Sequence, residues 1–254
     1  MPDYRIKSVH AVQVQSRRHN MAVSARVETM DGAVGKALCY AGVSVGTHEV
    51  HFQYDGGNRW GGLGCMSAVR NVNTIIADTI LGMDVRNQFE IDQAMLSIQG
   101  NGSASVGGNA IAAVSAAVLK AGAAATQMPL YRYIGGENAC MLPVPGAPAF
   151  SGGERWGGAV HTHGNKPTGA FQCFGYDSFS EASSAAWDMY HLFAKELEKR
   201  GVTEGDWFFY RIPAGIFKHS DEELFELMAD VIHKTGNDGK AGIQIDVAAD
   251  CYYD

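Results

Sequence analysis

The residues best suited to chemistry sit in glycine-rich stretches of an otherwise patterned chain. In His161-Thr162-His163-Gly164-Asn165-Lys166, two histidines stand two positions apart, a spacing that can chelate a metal or leave both side chains solvated. Cys173 offers a nucleophile if its thiol is acidified, and a small buried apolar residue if it is not. The run GGNRWGGLG at 56–64 has the glycine content of a phosphate cradle but not the GxxxxGK[ST] order, and it reads as a mobile lid or a turn. Glycine is the common thread, at 31 of 254 residues. The glycines cluster at 42–64, 100–108, 135–136, 152–158 and 201–215, between periodic segments. Such clusters mark loops that need positive φ or a close approach of backbone to a ligand.

The elements that must position these loops follow from periodicity. Segments 4–15, 22–29 and 34–40 read as strands of an antiparallel meander, with a hairpin turn at Asp31-Gly32. Tyr4, Ile6, Val12 and Val14 are expected on one face of the first strand; Val23, Ala25 and Val27 form the apolar face of the second. The spacing then turns helical over 66–81, with Val69, Val72, Ile75, Ile76 and Ile80 on one stripe. Further helices are predicted over 89–98 and 109–127, the latter so rich in alanine that it should pack closely on several sides. A meander followed by helices makes an α+β unit.

The pattern changes at Leu142-Pro143-Val144-Pro145, a stiff extended entry into a second region. Strands over 170–175, 208–212 and 241–247 alternate with helices over 179–200 and 221–234. Both helices open on a capping box, Ser178-Phe179-Ser180-Glu181 and Ser220-Asp221-Glu222-Glu223. The run 241–247 is apolar enough for a strand buried on both faces. This alternation is the start of an α/β barrel. A complete eightfold barrel takes about 250 residues, whereas 254 − 141 = 113 residues follow Met141.

Composition removes several classes. Acidic residues outnumber basic ones 27 to 20, a formal charge of −7, with no Lys/Arg block to hold nucleic acid or an anionic membrane. No run is read as long and apolar enough to span a bilayer, and the first twenty residues lack the layout of a signal peptide. Five widely spaced cysteines without a CxxC pair argue against a disulfide framework and for a reducing cytoplasm.

Several separated motifs then point one way. They are the stretch 42–81, Gly108-Asn109-Ala110-Ile111, Pro129-Leu130-Tyr131, Leu142-Pro143-Val144-Pro145, and Gly239-Lys240 followed by Ile245-Asp246-Val247-Ala248-Ala249. In this collinear order, from about Ser8 to Tyr253, the chain resembles the enolase family, the phosphopyruvate hydratases of glycolysis. The resemblance implies an α+β capping domain, residues 1–140, followed by the first part of a TIM-type, enolase-like barrel, residues 141–254. It implies Mg2+ as cofactor, with Asp246 as the first ligand of a carboxylate triad and Ser44, between Gly42 and Gly46, as a ligand to a second Mg2+ from a closing loop. It also implies that Arg17 and Gln172 lie near a small carboxylate or phosphorylated substrate, with His161 or His163 as the counterpart of a histidine near its phosphate.

The chain departs from the family at both acid/base glutamates. Cys173 stands where one is expected, and Trp207 aligns with the other. Glu204 or Asp206 is close enough in sequence to take over the acid's role, or is a surface residue. Two expectations follow. The first is an enolase-type, Mg2+-dependent lyase acting on 2-phosphoglycerate or a related carboxylate. It would be the amino-terminal subunit of a two-chain enzyme, completed by a half-barrel partner chain and paired through its capping domains. The second is a catalytically inactive relative that binds or scaffolds.

Overall fold

The computed structural model of the chain describes residues 2–16, 20–40, 48–100, 105–151, 168–203, 205–206, 209–212, 216–217 and 221–247. These fall into two compact units, one drawn from residues up to Cys140 and one from Met141 onward.

In the first unit β1 (Ile6–Gln15), β2 (Met21–Thr29) and β3 (Val34–Tyr40) form an antiparallel sheet in chain order. Val23, Ala25 and Val27 point into the core, as their alternation predicts. Asp31-Gly32 makes the turn between β2 and β3: Gly32 has φ +88°, and the Thr29 amide donates to the Ala33 carbonyl at 2.9 Å. β1 departs from its expected face. Its register with β2 shifts between Ile6 and Ser8. One irregular residue reverses the side-chain parity beyond it. Ile6 is therefore followed into the core by Val9 and Ala11, while Val12 is 47% exposed.

The helical run after β3 comprises α1 (Met66–Asn71), a π turn (Val72–Ile76) and α2 (Ala77–Ile80). Val69, Val72, Ile76 and Ile80 are buried as predicted, but Ile75 is 46% exposed. A π turn carries an extra residue and shifts the helical phase, which narrows the stripe. Next come α3 (Gln88–Ser97), α4 (Gly108–Ala125) and a short helix that the sequence pattern did not mark, α5 (Leu130–Gly135). Helix α4 lies against β2 and β3. A Cβ built on Gly35 would stand 2.0 Å from the Ala117 carbonyl oxygen and 2.4 Å from the Ala121 amide. Backbone meets backbone there, so the strand needs glycine and the helix needs alanine.

Helix α4 also corrects an exclusion. With 18 residues it is long and apolar enough to cross a membrane by length and composition. Ten of those residues are buried inside the unit, including Ala113, Val114, Ala117 and Val118, which is how the core helix of a packed domain behaves.

The second unit is a five-stranded mixed sheet. Its strands are β4 (Gly146–Ser151), β5 (Thr168–Cys173), β6 (Gly205–Asp206), β7 (Phe209–Arg211) and β8 (Ala241–Asp246), in the order β6-β7-β4-β5-β8. β5 runs antiparallel to both β4 and β8, and β4 pairs with β7 in parallel. Helices α6 (Phe179–Glu198) and α7 (Asp221–Lys234) pack with the sheet. Phe171 of β5 meets Phe193 of α6 edge to face at 5.7 Å. The serine half of the first predicted capping box forms: the Ser178 hydroxyl accepts the Glu181 amide at 3.2 Å, and the Glu181 carboxylate accepts the hydroxyl proton at 3.0 Å where the box has it accept a backbone amide. Ser220 of the second box lies outside the described residues.

Two expectations change here. The described strands form an open sheet, not a recognisable arc of a barrel. β8 is not buried on both faces: Gln244 and Asp246 are exposed, on the face of the sheet opposite the one that packs with the helices. β4 went unrecognised in the sequence, since two prolines just before it and one inside it disguise a strand.

Candidate functional site

The alternation of β5 separates two kinds of residue. Gly169, Phe171 and Cys173 are buried with the helices, while Thr168, Ala170 and Gln172 lie on the other, half-exposed face. On β8 the corresponding open-face positions are Gly242, Gln244 and Asp246, and the antiparallel register sets Thr168 opposite Asp246, Ala170 opposite Gln244 and Gln172 opposite Gly242. Thr168 also pairs with position 151 of β4, which pairs with position 211 of β7. Asp246 thus ends a row across four strands, at the carboxyl ends of β4, β7 and β8.

Gln172 belongs to the opposite end of β5. It lies four positions along the strand from Thr168, about 13 Å at the usual strand rise. Its amide donates to the Val144 carbonyl at 3.1 Å, and its Oε1 lies only 2.5 Å from where a Cβ on Gly146 would stand. Gln172 and Asp246 share a face but are not brought together.

Cys173, adjacent to Gln172 in sequence, is on the packed face and 2% exposed. Burial pushes its thiol above the ordinary range. That environment suits a protonated core residue and not a nucleophile. Arg17, Ser44, His161, His163, Glu204 and Trp207 lie outside the described residues. Among the described residues no group of three or more His, Cys, Asp or Glu side chains is placed to hold a metal ion.

An open groove of about 310 Å³ lies between the Pro145–Pro148 stretch and α6, with Trp187 and Tyr190 on its wall. The one titratable group among its described lining residues is the Tyr190 phenol, which burial holds protonated above its usual range.

In the first unit the side chain of Asn109, 1% exposed, clamps residue 53 by both backbone groups: Oδ1 accepts the Gln53 amide at 3.0 Å, and Nδ2 donates to the Gln53 carbonyl at 3.1 Å. The Cys65 amide donates to Gln13 Oε1 at 2.6 Å. Burial, reinforced by the charge of Asp55, pushes the Cys65 thiol up to about 11. These contacts tie the segment after residue 48 to α4 and β1. They give the Gly108-Asn109-Ala110-Ile111 motif a structural duty that its sequence did not disclose.

A family model described as the enolase N-terminal domain matches residues 6–134, just over half of the chain. The chain belongs to the enolase family. The three-stranded sheet and helices of the first unit fit the enolase N-terminal, capping domain. Similar curated proteins named enolase extend the likeness through the second unit. That of Campylobacter jejuni strain 81-176 is 37% identical over 251 residues, covering 96% of this chain and 58% of the relative. Those of Methanosarcina barkeri and Methanopyrus kandleri are 36% and 38% identical, covering 99% and 98% of this chain and again 58% of each relative. The chain therefore spans somewhat more than half the length of these enolases.

Proposed function

We propose that these residues form the amino-terminal part of an enolase-type, Mg2+-dependent hydro-lyase acting on 2-phosphoglycerate or a related carboxylate. In this reading the remaining barrel strands, metal ligands and base come from a complementary chain, and the assembly is a cytoplasmic oligomer paired through its capping domains. The observation that supports it best is the exposed carboxylate of Asp246 at the carboxyl end of β8, level with three neighbouring strands.

Magnesium takes oxygen donors, and the described open face offers oxygen and amide groups with no thiol or imidazole. The donor chemistry fits the ion. When bound, it would neutralise charge developing on the substrate carboxylate as the α-proton leaves. Asp246 would hold it from this chain, with Ser44 at a second ion. Arg17 would bind the substrate's negative charge, and His161 or His163 its phosphate. Gln172 is the remaining substrate contact of this reading, which requires a substrate or an adjoining segment reaching along β5. Glu204 would donate the proton that lets hydroxide leave as water, in place of the family glutamates whose positions Cys173 and Trp207 occupy. The burial of Cys173 means that acid catalysis gains nothing from that strand, and this favours the second reading, a non-catalytic binding subunit, to the extent that Glu204 fails in the role.

The deciding experiment mixes the chain with the carboxy-terminal 42% of the Campylobacter jejuni enolase that it does not span. Formation of phosphoenolpyruvate is then followed with and without Mg2+. Mg2+-dependent turnover lost in Asp246→Asn supports the lyase. A stable complex with no turnover on 2-phosphoglycerate or related hydroxy acids overturns it in favour of the binding subunit.

A further inference from the structure

We infer that the complementary chain docks on the outer edge of β8, adding a strand of its own to the second unit's sheet. The inference rests on the two-chain reading given above and names the surface on which that partner sits. An end strand turns alternate N–H and C=O groups away from its one neighbour, and folded proteins cover or blunt such an edge. The described sheets end in β1 and β3 and in β6 and β8. Three of these ends are dealt with. On β1 the Ile6 amide donates to the Met83 carbonyl at 2.8 Å, and the Ile6 carbonyl accepts the Gly82 amide at 2.9 Å. Further along β1, the Asn73 side chain takes both backbone groups of Ala11, its Oδ1 accepting the amide at 2.7 Å and its Nδ2 donating to the carbonyl at 3.1 Å. β3 carries the exposed Lys36 mid-strand, and β6 has two residues.

β8 has none of these devices. Its six residues, Ala-Gly-Ile-Gln-Ile-Asp, include no lysine or proline, and their pairing with β5 runs without a bulge from Ala241 to Asp246. Among the described strands only β5 pairs with it. The apolar packing also thins toward this edge. Phe171 of β5 is fully buried, whereas Ile243 directly opposite it and Ile245 beyond are only half-buried, and Val247 is 52% exposed. An added strand would pair the outward backbone groups and shelter the flanks of both isoleucines. Main-chain hydrogen bonds would give it affinity, and its alternate apolar side chains would set its register. The likeness to the Methanosarcina barkeri enolase covers 99% of this chain and 58% of that relative, so it runs through β8 and leaves a large part of the relative unmatched. In the two-chain reading the counterpart of that part supplies the strand.

The test uses the full chain, deuterated and isotope-labelled at its amides, with and without the unlabelled carboxy-terminal enolase segment described above. In the complex, nuclear magnetic cross-saturation from the segment should be strongest at the amides of β8. Hydrogen exchange at the β8 amides that point away from β5 should slow by about tenfold or more. Docking at β8 without Mg2+-dependent turnover supports this inference and removes only the lyase. A complex whose cross-saturation falls elsewhere, on the β3 edge or on α6, overturns this inference and leaves the two-chain reading standing. Outward β8 amides already slow in the chain alone and unchanged by the segment, or slowed in step with the chain's own concentration, overturn it as well. The edge would then be covered from within or by a second copy. If no complex forms, the two-chain reading falls and this inference with it.

Discussion

Both units pack one face of a sheet beneath helices, and among the described residues they differ in what the outer face carries: Val12, Leu38 and Tyr40 stand exposed in the first, Gln244 and Asp246 in the second. In the first, β2 and β3 lie under α4 so tightly that Gly35 has no room for a methyl group. In the second, Phe171 and Cys173 of β5 are sealed beneath helices, and on the reverse of the same sheet Gln244 and Asp246 of β8 face solvent. The family model matches the first unit. Packing has already committed the side chains of a core, whereas the outer face of a sheet sets its polar groups in solvent.

The sharpest way to break this contrast is to remove a large side chain from the packed face of the second unit. Phe171 is fully buried against Phe193. Phe171→Ala should cost about 3–5 kcal/mol and deprotect β4, β5 and β8 in peptide-resolved hydrogen exchange, leaving the first unit's strands protected. Equal deprotection in both units would mean that they share a single cooperative core. The reciprocal change is Gly35→Ala, which must displace the α4 backbone and should cost about 3 kcal/mol, with its deprotection confined to the first unit. Gly32 has φ +88° but nothing within 4 Å of an added Cβ. Its Ala variant should lose only about 1 kcal/mol, because only the turn is strained.

Cysteine reactivity tests whether the packed face excludes chemistry. Cys140 is exposed, while Cys65 and Cys173 are buried with raised thiol pKa values. Native protein should give up Cys140 to a thiol reagent rapidly, and Cys65 and Cys173 only on the timescale of opening. Cys173→Ala should cost about 1.5 kcal/mol and leave any Mg2+-dependent activity in place. A large loss of activity with unchanged stability would mean that the thiol serves the site after all.

What could be read from the sequence was local. The strands over 22–29 and 34–40, the Asp31-Gly32 turn and the helix over 221–234 agree with the structure to within a residue, because each is encoded by the alternation or turn chemistry of its own residues. The parity of β1 was not legible, since its irregularity exists only in the pairing with β2. Nor was the separation of Gln172 from Asp246. Two residues on different strands are brought level or held apart by register, and a neighbourhood in sequence such as Gln172-Cys173 is split between opposite faces by the pleat. Of the candidate site, the resemblance put Asp246 at a strand end, but its exposure runs against the reading of 241–247 as buried on both faces.

The helix caps carry the same distinction down to the smallest expected effect. Helix α6 is capped by Ser178, within its own box. Helix α1 is capped by Asp55, eleven and twelve residues upstream of the Met66 and Ser67 amides that donate to it at 2.9 and 2.7 Å. Either cap should be worth about 1 kcal/mol, so Ser178→Ala should lower stability by that much at neutral pH and Asp55→Asn, which keeps one acceptor oxygen, by less. Their pH dependence should differ. Burial raises the Asp55 pKa, but hydrogen bonds from Ser67 and Met66 outweigh it, and the carboxyl sits below the usual range. A depressed folded-state pKa gives stability that is fully present above the unfolded value, about 3.9, and is lost as pH falls through the folded one. The deficit of Asp55→Asn relative to the parent should therefore shrink below about pH 4, whereas the Ser178 hydroxyl does not titrate and its variant's deficit should persist. Urea midpoints at pH 7 and pH 3 would measure both. A deficit in Asp55→Asn that stayed constant to pH 3 would mean that the carboxylate's charge adds nothing to its hydrogen bonds at the start of α1.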